Sequence, residues 1–254
     1  ILGINFGRLG FLASLGREQI HAAVDAIEKG SYMIDKRTLI QLQTNKPLFE
    51  DSIALNDMTI QRRDQSSMIT VNAYLNGELL NTYWADGLIV STPSGSTGYS
   101  LSCGGPIIYP TSGNFVITPV APHNLNVRPM VVNDDVILSF EVTGRGNSFL
   151  CTLDWRVKAI DASFQLAVKK APFHANIVRL TDQSFLTALK TKLNWGQLCG
   201  QQCLRLPRVT IQEERLPASL AVFPRQDLPL GKRLERWSTI RRQRFSSSNL
   251  NSRW

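Results

Sequence analysis

The sequence predicts an α/β unit, then an all-β domain of the β-sandwich type, then a helix that packs back on the first unit. Three observations support this order. Residues 1–30 contain a glycine-rich apolar run followed by one helical stripe. Residues 31–170 contain many short apolar runs separated by turn residues, which is typical of a two-sheet domain. Residues 171–196 return to helical spacing.

The first predicted helix covers residues 18–29, with the sequence EQIHAAVDAIEK. Ile20, Val24 and Ile27 recur at helical spacing, and Gly30 follows as a stop signal. The sequence does not begin with Met and enters directly into ILGINFGRLGFL. We therefore expect the α/β unit to begin upstream of residue 1.

The predicted strands between residues 31 and 170 are short. They are RTLIQLQT, SIALNDMTIQ, MITVNAYL, GELLNTYW, GLIVST, NFVITPV, DVILSFEVTG, FLCTLD, RVKAID and SFQLAVKK. Asn76 and Gly77 stand between two of these runs, and Asn-Gly between alternating arms is the strongest short signal for a β-hairpin.

The predicted returning helix is capped by Thr181. Its apolar stripe consists of Phe185, Leu186, Leu189 and Leu193. Residues 197–254 then hold 11 of the 28 basic and 4 of the 20 acidic residues, so they carry +7 of the formal charge of +8. Four prolines and the lack of periodicity predict a disordered basic tail on a nearly neutral body.

Composition and motifs exclude several classes of protein. No run approaches the ~18 apolar residues of a membrane span, and no secretory signal opens the sequence, so a cytoplasmic protein is expected. The four cysteines include one isolated C-x3-C pair, which is weak evidence for zinc. A Walker A P-loop and a G-x-S-x-G hydrolase elbow are both absent.

The segment DGLIVSTPSGSTGYSLSCGGPI at 86–107 reads as a buried strand that ends in glycines and hydroxyls. Glycines let backbone N–H groups approach a ligand, hydroxyls donate and accept hydrogen bonds, and Tyr99 offers a flat face for a base. The residue chemistry leaves both a structural turn and a nucleotide-binding loop open, and by itself it favours the turn.

Several other polar residues each allow two interpretations. Asn56 and Asp57 lie inside an apolar run, either at a solvated edge or facing a site. Asp86 either forms a turn with Gly87 or accepts hydrogen bonds from a ribose or a carboxamide. Asp154, at a strand end, is interpreted as a turn or salt-bridge residue.

Five segments taken together resemble the NAD kinases, the enzymes that phosphorylate NAD to NADP. They are GINFGRLGFL at 3–12, ALND at 54–57, DGLIVSTPSGSTGYSLSCGGPI at 86–107, ITPVAPHNLNVRPMVV at 117–132 and LDWR at 153–156. They follow the family's order over about residues 1–196, and the segment at 86–107 is highly specific.

The resemblance implies the organisation of the chain. Residues 1–30 would be the C-terminal part of an α/β nucleotide-binding domain, 31–170 a β-sandwich NAD-binding domain, and 171–196 a helix returning to the α/β domain. The reaction would transfer a phosphoryl group from ATP, or from polyphosphate, to the 2′-hydroxyl of the adenosine ribose of NAD, assisted by a divalent metal, usually Mg. The implied partners are NAD, ATP and further copies of the chain in a homo-oligomer.

The resemblance also implies which residues line the NAD site. Asn56 and Asp57 match the family's Asn-Glu pair, with the shorter Asp in place of Glu, and Asp86 matches an acidic residue that faces NAD. The segment that matches Thr-Ala-Tyr-x-x-Ser consists of Thr97, Gly98, Tyr99, Ser100, Leu101 and Ser102. His123 and Arg156 are candidate neighbours of the site.

One family motif is absent from the 254 residues: Gly-Gly-Asp-Gly-Thr, whose Asp is the proposed base. We expect it upstream of residue 1, so neither a catalytic residue nor a metal ligand is assigned within the chain, which should be inactive alone. A non-catalytic dinucleotide-binding protein is the alternative. The related lipid kinases share the upstream signature, but the specific match at 86–107 argues against them. Binding of nucleic acid by the basic tail is a third hypothesis.

Overall fold

The computed structural model describes residues 1–6, 10–13, 15–63, 68–180 and 184–194. The predicted tail and the predicted cap Thr181 lie outside these residues. The elements in chain order are β1 Ile4–Asn5, β2 Leu15–Gly16, α1 Ile20–Glu28, β3 Tyr32–Arg37, β4 Ile40–Thr44, β5 Ile53–Ala54, β6 Asp57–Arg62, β7 Ile69–Leu75, β8 Glu78–Ala85, β9 Gly87–Ser91, α2 Tyr99–Ser102, β10 Asn114–Val120, β11 Met130–Asn133, β12 Leu138–Gly144, β13 Phe149–Leu153, β14 Arg156–Ile160, β15 Leu166–Lys170, β16 Ala175–Leu180 and α3 Phe185–Leu193. No helix among the described residues is long and apolar enough to cross a membrane.

Two six-stranded antiparallel sheets form the all-β part of the chain. One has the strand order β11-β10-β9-β6-β13-β14 and the other β5-β4-β15-β12-β7-β8. Alternate residues of each sheet point into one shared core, where Phe115 and Phe149 of the first sheet and Phe140 of the second are fully buried. The predicted β sandwich is confirmed.

The predicted hairpin at Asn76 and Gly77 is also confirmed. It joins β7 to β8, and the two residues have φ angles of 51° and 88°. Positive φ at both central positions is what a type I′ turn requires, and Asn and Gly tolerate it best.

The first unit differs from its prediction in the face that its helix buries. β1 and β2 form a two-stranded parallel sheet, and α1 follows a short 3₁₀ turn. Ala23 is 0% exposed and packs with Leu15 and Leu180, whereas Val24 and Ile27 are 48% and 40% exposed. Helical spacing identifies an apolar stripe, but the neighbouring elements decide which face is covered.

Four strands were not predicted: β2, β3, β11 and β16. β3 pairs with β16 in a separate two-stranded antiparallel ribbon, and β11 lies at the edge of the first sheet. β3 and β11 are mostly exposed and lack the alternation that reveals a half-buried strand. Because β16 occupies Ala175–Leu180, the predicted helical segment at 171–196 becomes helical only from Phe185.

The last described helix, α3, begins after Ser184. The Ser184 hydroxyl accepts a hydrogen bond of 3.1 Å from Thr187 N, so Ser184 is the N-cap in place of the predicted Thr181. Near the helix end, Lys192 Nζ donates to Ala13 O at 3.1 Å and lies 5.8 Å from the centroid of the Phe11 ring. The helix thus contacts the first unit, as the sequence predicts.

Candidate functional site

The candidate site begins where β9 leaves the first sheet. All residues of β9 are buried, and Thr92 follows them directly. Thr92 Oγ1 donates to Leu55 O at 2.6 Å, and Thr92 N donates to Asn56 O at 2.9 Å. Gly95 N donates back to Thr92 Oγ1 at 3.2 Å. Thr92 therefore fastens the loop after β9 to the segment that precedes β6.

Gly95 lies directly against the backbone of Asn56. A Cβ atom built on Gly95 would stand 2.1 Å from Asn56 O and 2.5 Å from the Asn56 carbonyl carbon. Only glycine permits this approach. Residues 55–57 and 92–99 consequently form one continuous surface, which we call the loop wall.

The hydroxyls of two serines in this region make hydrogen bonds within the protein. Ser96 Oγ donates to Pro93 O at 2.8 Å and accepts from Ile108 N at 3.0 Å, while Ser100 Oγ and Thr118 Oγ1 share a hydrogen bond of 2.8 Å. Both serines are fully buried. Ser100 was predicted to line the site, but its hydroxyl faces inward and holds α2 against β10.

The other predicted loop residues lie nearer the surface. Gly98, Tyr99 and Ser102 are exposed, and Thr97 and Leu101 are half-buried. Thr97 Oγ1 donates to Ser94 O at 3.3 Å. The outward side of the loop wall therefore consists of backbone and the Tyr99 side chain rather than a row of free hydroxyls.

Tyr99 extends from the loop toward the start of β9. Its hydroxyl accepts a hydrogen bond of 2.7 Å from Gln61 Nε2, and Gln61 is paired with Gly87. The residue is 39% exposed, and partial burial raises the pKa of its phenol. The ring thus offers an anchored, partly exposed aromatic surface.

Asp86 lies at the same end of β9. Its Oδ2 is 3.0 Å from Arg62 Nη2, and Arg62 N donates to Asp86 O at 2.9 Å. Both side chains are partly exposed, so the pair contributes little to stability. The structure therefore places Asp86 beside the hydroxyl end of Tyr99, at the opposite end of β9 from Asn56 and Asp57.

Asp57 is a buried carboxylate at the first position of β6. It is only 9% exposed, and its Oδ1 accepts a hydrogen bond of 3.2 Å from Thr59 Oγ1. Burial raises the pKa of the Asp57 carboxyl to about 6, and the nearby charge of Asp154 adds to the increase. Asn56, its half-buried neighbour, accepts a hydrogen bond of 2.9 Å from Thr92 N through its backbone carbonyl.

Asp154 is the residue whose importance the sequence did not reveal. Its Oδ1 accepts hydrogen bonds from Asn56 N at 2.7 Å and Asp57 N at 3.2 Å, and its Oδ2 accepts from Leu55 N at 2.8 Å. Its φ of 53° is left-handed, a conformation that Asp tolerates better than most residues. In the sequence, Asp154 stands at a strand end inside the LDWR segment, and its residue type indicates a turn.

The two candidate neighbours of the site, Arg156 and His123, differ in their surroundings. Arg156 donates to Leu153 O, Asp51 O and Ile53 O, so its guanidinium fixes the chain before the loop wall. The His123 side chain is exposed, and its backbone N–H donates to Trp84 O at 2.8 Å.

Within the described ranges, no group of three or more His, Cys, Asp or Glu side chains could hold a metal ion. A cavity of about 460 Å³ lies on the second sheet beside Tyr74 and Glu141, remote in the fold from the loop wall.

Comparisons with known proteins point to one family. The family model for the ATP-NAD kinase C-terminal domain matches residues 55–180. The NAD kinase of Cytophaga hutchinsonii is 52% identical over 197 residues, which are 77% of this chain and 68% of that protein. The NAD kinase of Flavobacterium psychrophilum is 48% identical over 200 residues, or 78% of this chain and 68% of that protein.

Two solved structures share the fold. The crystal structure of yeast NADH kinase complexed with NADH has a TM-score of 0.71 at 20% identity; the match covers 78% of this chain and 60% of that one. The crystal structure of an NAD kinase from Archaeoglobus fulgidus in complex with ATP has a TM-score of 0.63 at 28% identity, covering 76% and 73%.

Proposed function

The chain belongs to the NAD kinase family, and from this premise we propose that its loop wall faces NAD in a kinase site. The proposed reaction transfers a phosphoryl group to the 2′-hydroxyl of the adenosine ribose of NAD and yields NADP. ATP is the proposed donor, supported by the ATP complex of the Archaeoglobus relative.

The observation that carries the proposal is the joining of two distant segments into one surface. Thr92 and Gly95 both contact the backbone of Asn56, which places the exposed Tyr99 loop next to the Asp57 carboxylate. We assign Asn56 and Asp57 to the adenosine portion, where a carboxylate accepts hydrogen bonds from ribose hydroxyls. Tyr99 would stack on a base.

The remaining predicted residues have subordinate roles. Asp86 would accept hydrogen bonds from the far end of the dinucleotide, and residues 97–102 would line the site chiefly through backbone and the Tyr99 ring. We assign no contact to the buried Ser100 hydroxyl or to Arg156, whose donors already bind the chain near Asp51. His123 remains a candidate neighbour.

The loop wall alone is not sufficient for phosphoryl transfer. Catalysis depends on positioning and charge stabilisation around the phosphates and the metal, and the 254 residues contain no Gly-Gly-Asp-Gly-Thr motif. The described residues also do not fit a divalent metal site. We therefore propose that the chain binds NAD and that the base is supplied by the family motif.

An activity assay separates the kinase from the alternative, a non-catalytic dinucleotide-binding protein. The 254-residue chain is expected to make no NADP from NAD, ATP and Mg²⁺. A chimera that adds the segment of the Cytophaga NAD kinase carrying the Gly-Gly-Asp-Gly-Thr motif is expected to make NADP. A folded chimera that binds NAD without making NADP would favour the alternative.

NAD binding tests the wall directly. Asp86→Ala and Tyr99→Ala should each weaken NAD binding about tenfold, the equivalent of ~1.4 kcal/mol, in calorimetric titrations. Tyr74→Ala is the matched control, because Tyr74 also makes a tyrosine hydrogen bond, to Glu141, but on the other sheet. Wild-type affinity in both site variants would show that the loop is only structural.

We propose two further properties, a compartment and an oligomeric state. Free Cys103 and Cys151 thiols fit a reducing compartment, so we propose the cytoplasm. We also propose a homo-oligomer formed through the sandwich, supported by the exposed side chains of Leu79, Trp84 and Leu125. No nucleic-acid partner is proposed.

A further inference from the structure

The turn between β13 and β14 carries one of the most exposed apolar side chains of the described residues. Leu153 pairs with Arg156, so Asp154 and Trp155 are the two residues of the turn. Trp155 is 85% exposed. Tryptophan is highly buried on average in folded proteins. This turn therefore leaves a large aromatic surface available to a ligand.

The position of the turn is fixed relative to the loop wall. The Asp154 carboxylate accepts hydrogen bonds from Asn56 N at 2.7 Å and Asp57 N at 3.2 Å. Trp155 follows Asp154 directly, and consecutive Cα atoms are ~3.8 Å apart. The indole therefore starts next to the residues assigned to the adenosine portion of NAD. Because exposed side chains change rotamer on the picosecond to nanosecond timescale, it can turn towards a ligand bound there.

The strand register shows which face of the first sheet lies beside this turn. Met58 of β6 points into the core, so its neighbours Asp57 and Thr59 point to the outer face. Thr59 is paired with Thr152 of β13, and Thr152 is paired with Val157 of β14. Directly paired residues lie on the same face of a sheet. The row from β6 to β14 therefore shares its face with the Asp57 carboxylate.

The loop after β9 and helix α2 cover only part of this outer face. The hydroxyls of Ser100 and Thr118 share a hydrogen bond above β10, and Gln61 Nε2 of β6 donates to the Tyr99 hydroxyl. On β14, by contrast, Val157 is 54% exposed. The cover therefore extends from β10 to β6, and the outer face of β13 and β14 forms a floor beside it.

This β13–β14 floor is neutral and largely apolar. Its side chains are those of Leu150, Thr152, Val157 and Ala159. The first two are half-buried and the last two are exposed. None of the four carries a charge, so a phosphate would find no cation among them. A flat heteroaromatic ring, which buries apolar area, suits such a surface.

We propose that Trp155 stacks on a base of the dinucleotide that the loop wall holds. This inference rests on the proposed function, because it takes NAD as the ligand. Every base has a π face that stacks on an aromatic side chain. Adenine is the expected base, since it is attached to the ribose assigned to Asp57, and the nicotinamide ring is the other source of the same chemistry. Tyr99, whose hydroxyl lies near Asp86, would then meet the second ring of NAD.

Calorimetric titration of the 254-residue chain with NAD tests the stacking. Trp155→Ala should weaken NAD binding about fivefold or more, the loss expected when a base loses its aromatic platform. Trp155→Phe should keep most of the affinity, because the smaller ring still stacks. Phe173→Ala is the matched control, since Phe173 is also an exposed aromatic residue in a connection between two strands. Equal unfolding midpoints in urea would show that all three variants remain folded.

Fluorescence gives a readout that a purely structural role of Trp155 would not change. A base stacked on an indole quenches its emission, so NAD should quench the emission of the wild type. The quenching should be smaller in Trp155→Phe, although this variant still binds NAD. Equal quenching in the wild type and in Trp155→Phe would contradict the stacking.

Titrations with AMP and with nicotinamide mononucleotide identify the stacked ring. Trp155→Ala is expected to weaken the binding of AMP and to leave that of nicotinamide mononucleotide unchanged. The reverse result would support the stacking and assign it to the nicotinamide ring. If the wild type bound NAD and Trp155→Ala bound it equally well, the stacking alone would be overturned. If the folded wild type did not bind NAD, the proposed function would be overturned together with it.

Discussion

Replacing Asp154 with Ala is expected to lower the free energy of unfolding by about 3–5 kcal/mol and to abolish NAD binding. The carboxylate accepts hydrogen bonds from three consecutive backbone N–H groups, those of Leu55, Asn56 and Asp57. Without it these three donors lose a charged acceptor at the entry to β6. Urea unfolding and NAD titration measure the two effects.

Asp154→Asn separates the charge from the shape of the side chain. Asparagine tolerates the left-handed backbone of this position and keeps one carbonyl acceptor, so about half of the loss is expected. Asp161→Ala is the matched control, because Asp161 also accepts from a backbone N–H, that of Ser163, in an exposed turn. If Asp154→Ala and Asp161→Ala had equal unfolding midpoints, the three-bond anchor would be unimportant.

The sandwich could be predicted because its signals are local. The strands of the core have apolar runs between turn residues, and the Asn76-Gly77 turn follows from the φ angles that only a few residues tolerate. Strands β3 and β11 lack such a signal, because their exposed residues leave no clear alternation. The pairing of β3 with β16 also depends on a partner far away in the sequence.

The buried face of α1 could not be predicted from the sequence either. Helical spacing correctly predicts a helix, but the burial of Ala23 instead of Val24 and Ile27 is decided by Leu15 and Leu180, which pack on it. The sequence of one helix does not determine which of its faces a neighbouring element will bury. The start of α3 is similar, since Ser184 and Thr181 are both acceptable caps by residue type.

The segment at 86–107 posed a choice between a turn and a ligand-binding loop, and its side chains divide between the two. The hydroxyls of Ser96 and Ser100 build the turn, whereas Tyr99 and the backbone beside Gly98 remain at the surface. Residue types alone could not divide them, because a serine suits either role. The hydrogen bonds of Asp154 could not be predicted either, because Leu55 and Asp154 are 99 positions apart in the sequence.

Replacing Asp57 with Asn is expected to have opposite effects on stability and on binding. Burial raises the pKa of the Asp57 carboxyl to about 6, against ~3.9 in an unfolded chain, and each pKa unit is worth ~1.4 kcal/mol. The folded state therefore binds this proton more tightly than the unfolded state does. Asp57→Asn should raise the free energy of unfolding by about 3 kcal/mol above pH 7.

The pH dependence follows from the sign of that shift. In the wild type, the contribution of Asp57 to stability is fully favourable below pH ~4 and is lost as the pH rises through about 6. The difference in unfolding free energy between Asp57→Asn and the wild type should thus grow from pH 4 to pH 7 and stay constant above. Parallel pH profiles for the two proteins, measured by urea unfolding, would contradict the burial argument.

The functional half of the prediction is that the more stable variant binds NAD more weakly. If ionised Asp57 accepts hydrogen bonds from ribose hydroxyls, Asp57→Asn should lose at least tenfold in affinity at pH 7.5, about 1.4 kcal/mol. Wild-type affinity should fall as the pH drops below 6, while the affinity of the variant should not respond. A buried carboxylate that costs stability is expected at a position where binding requires it. If Asp57→Asn were more stable and bound NAD equally well, Asp57 would have no role in the site.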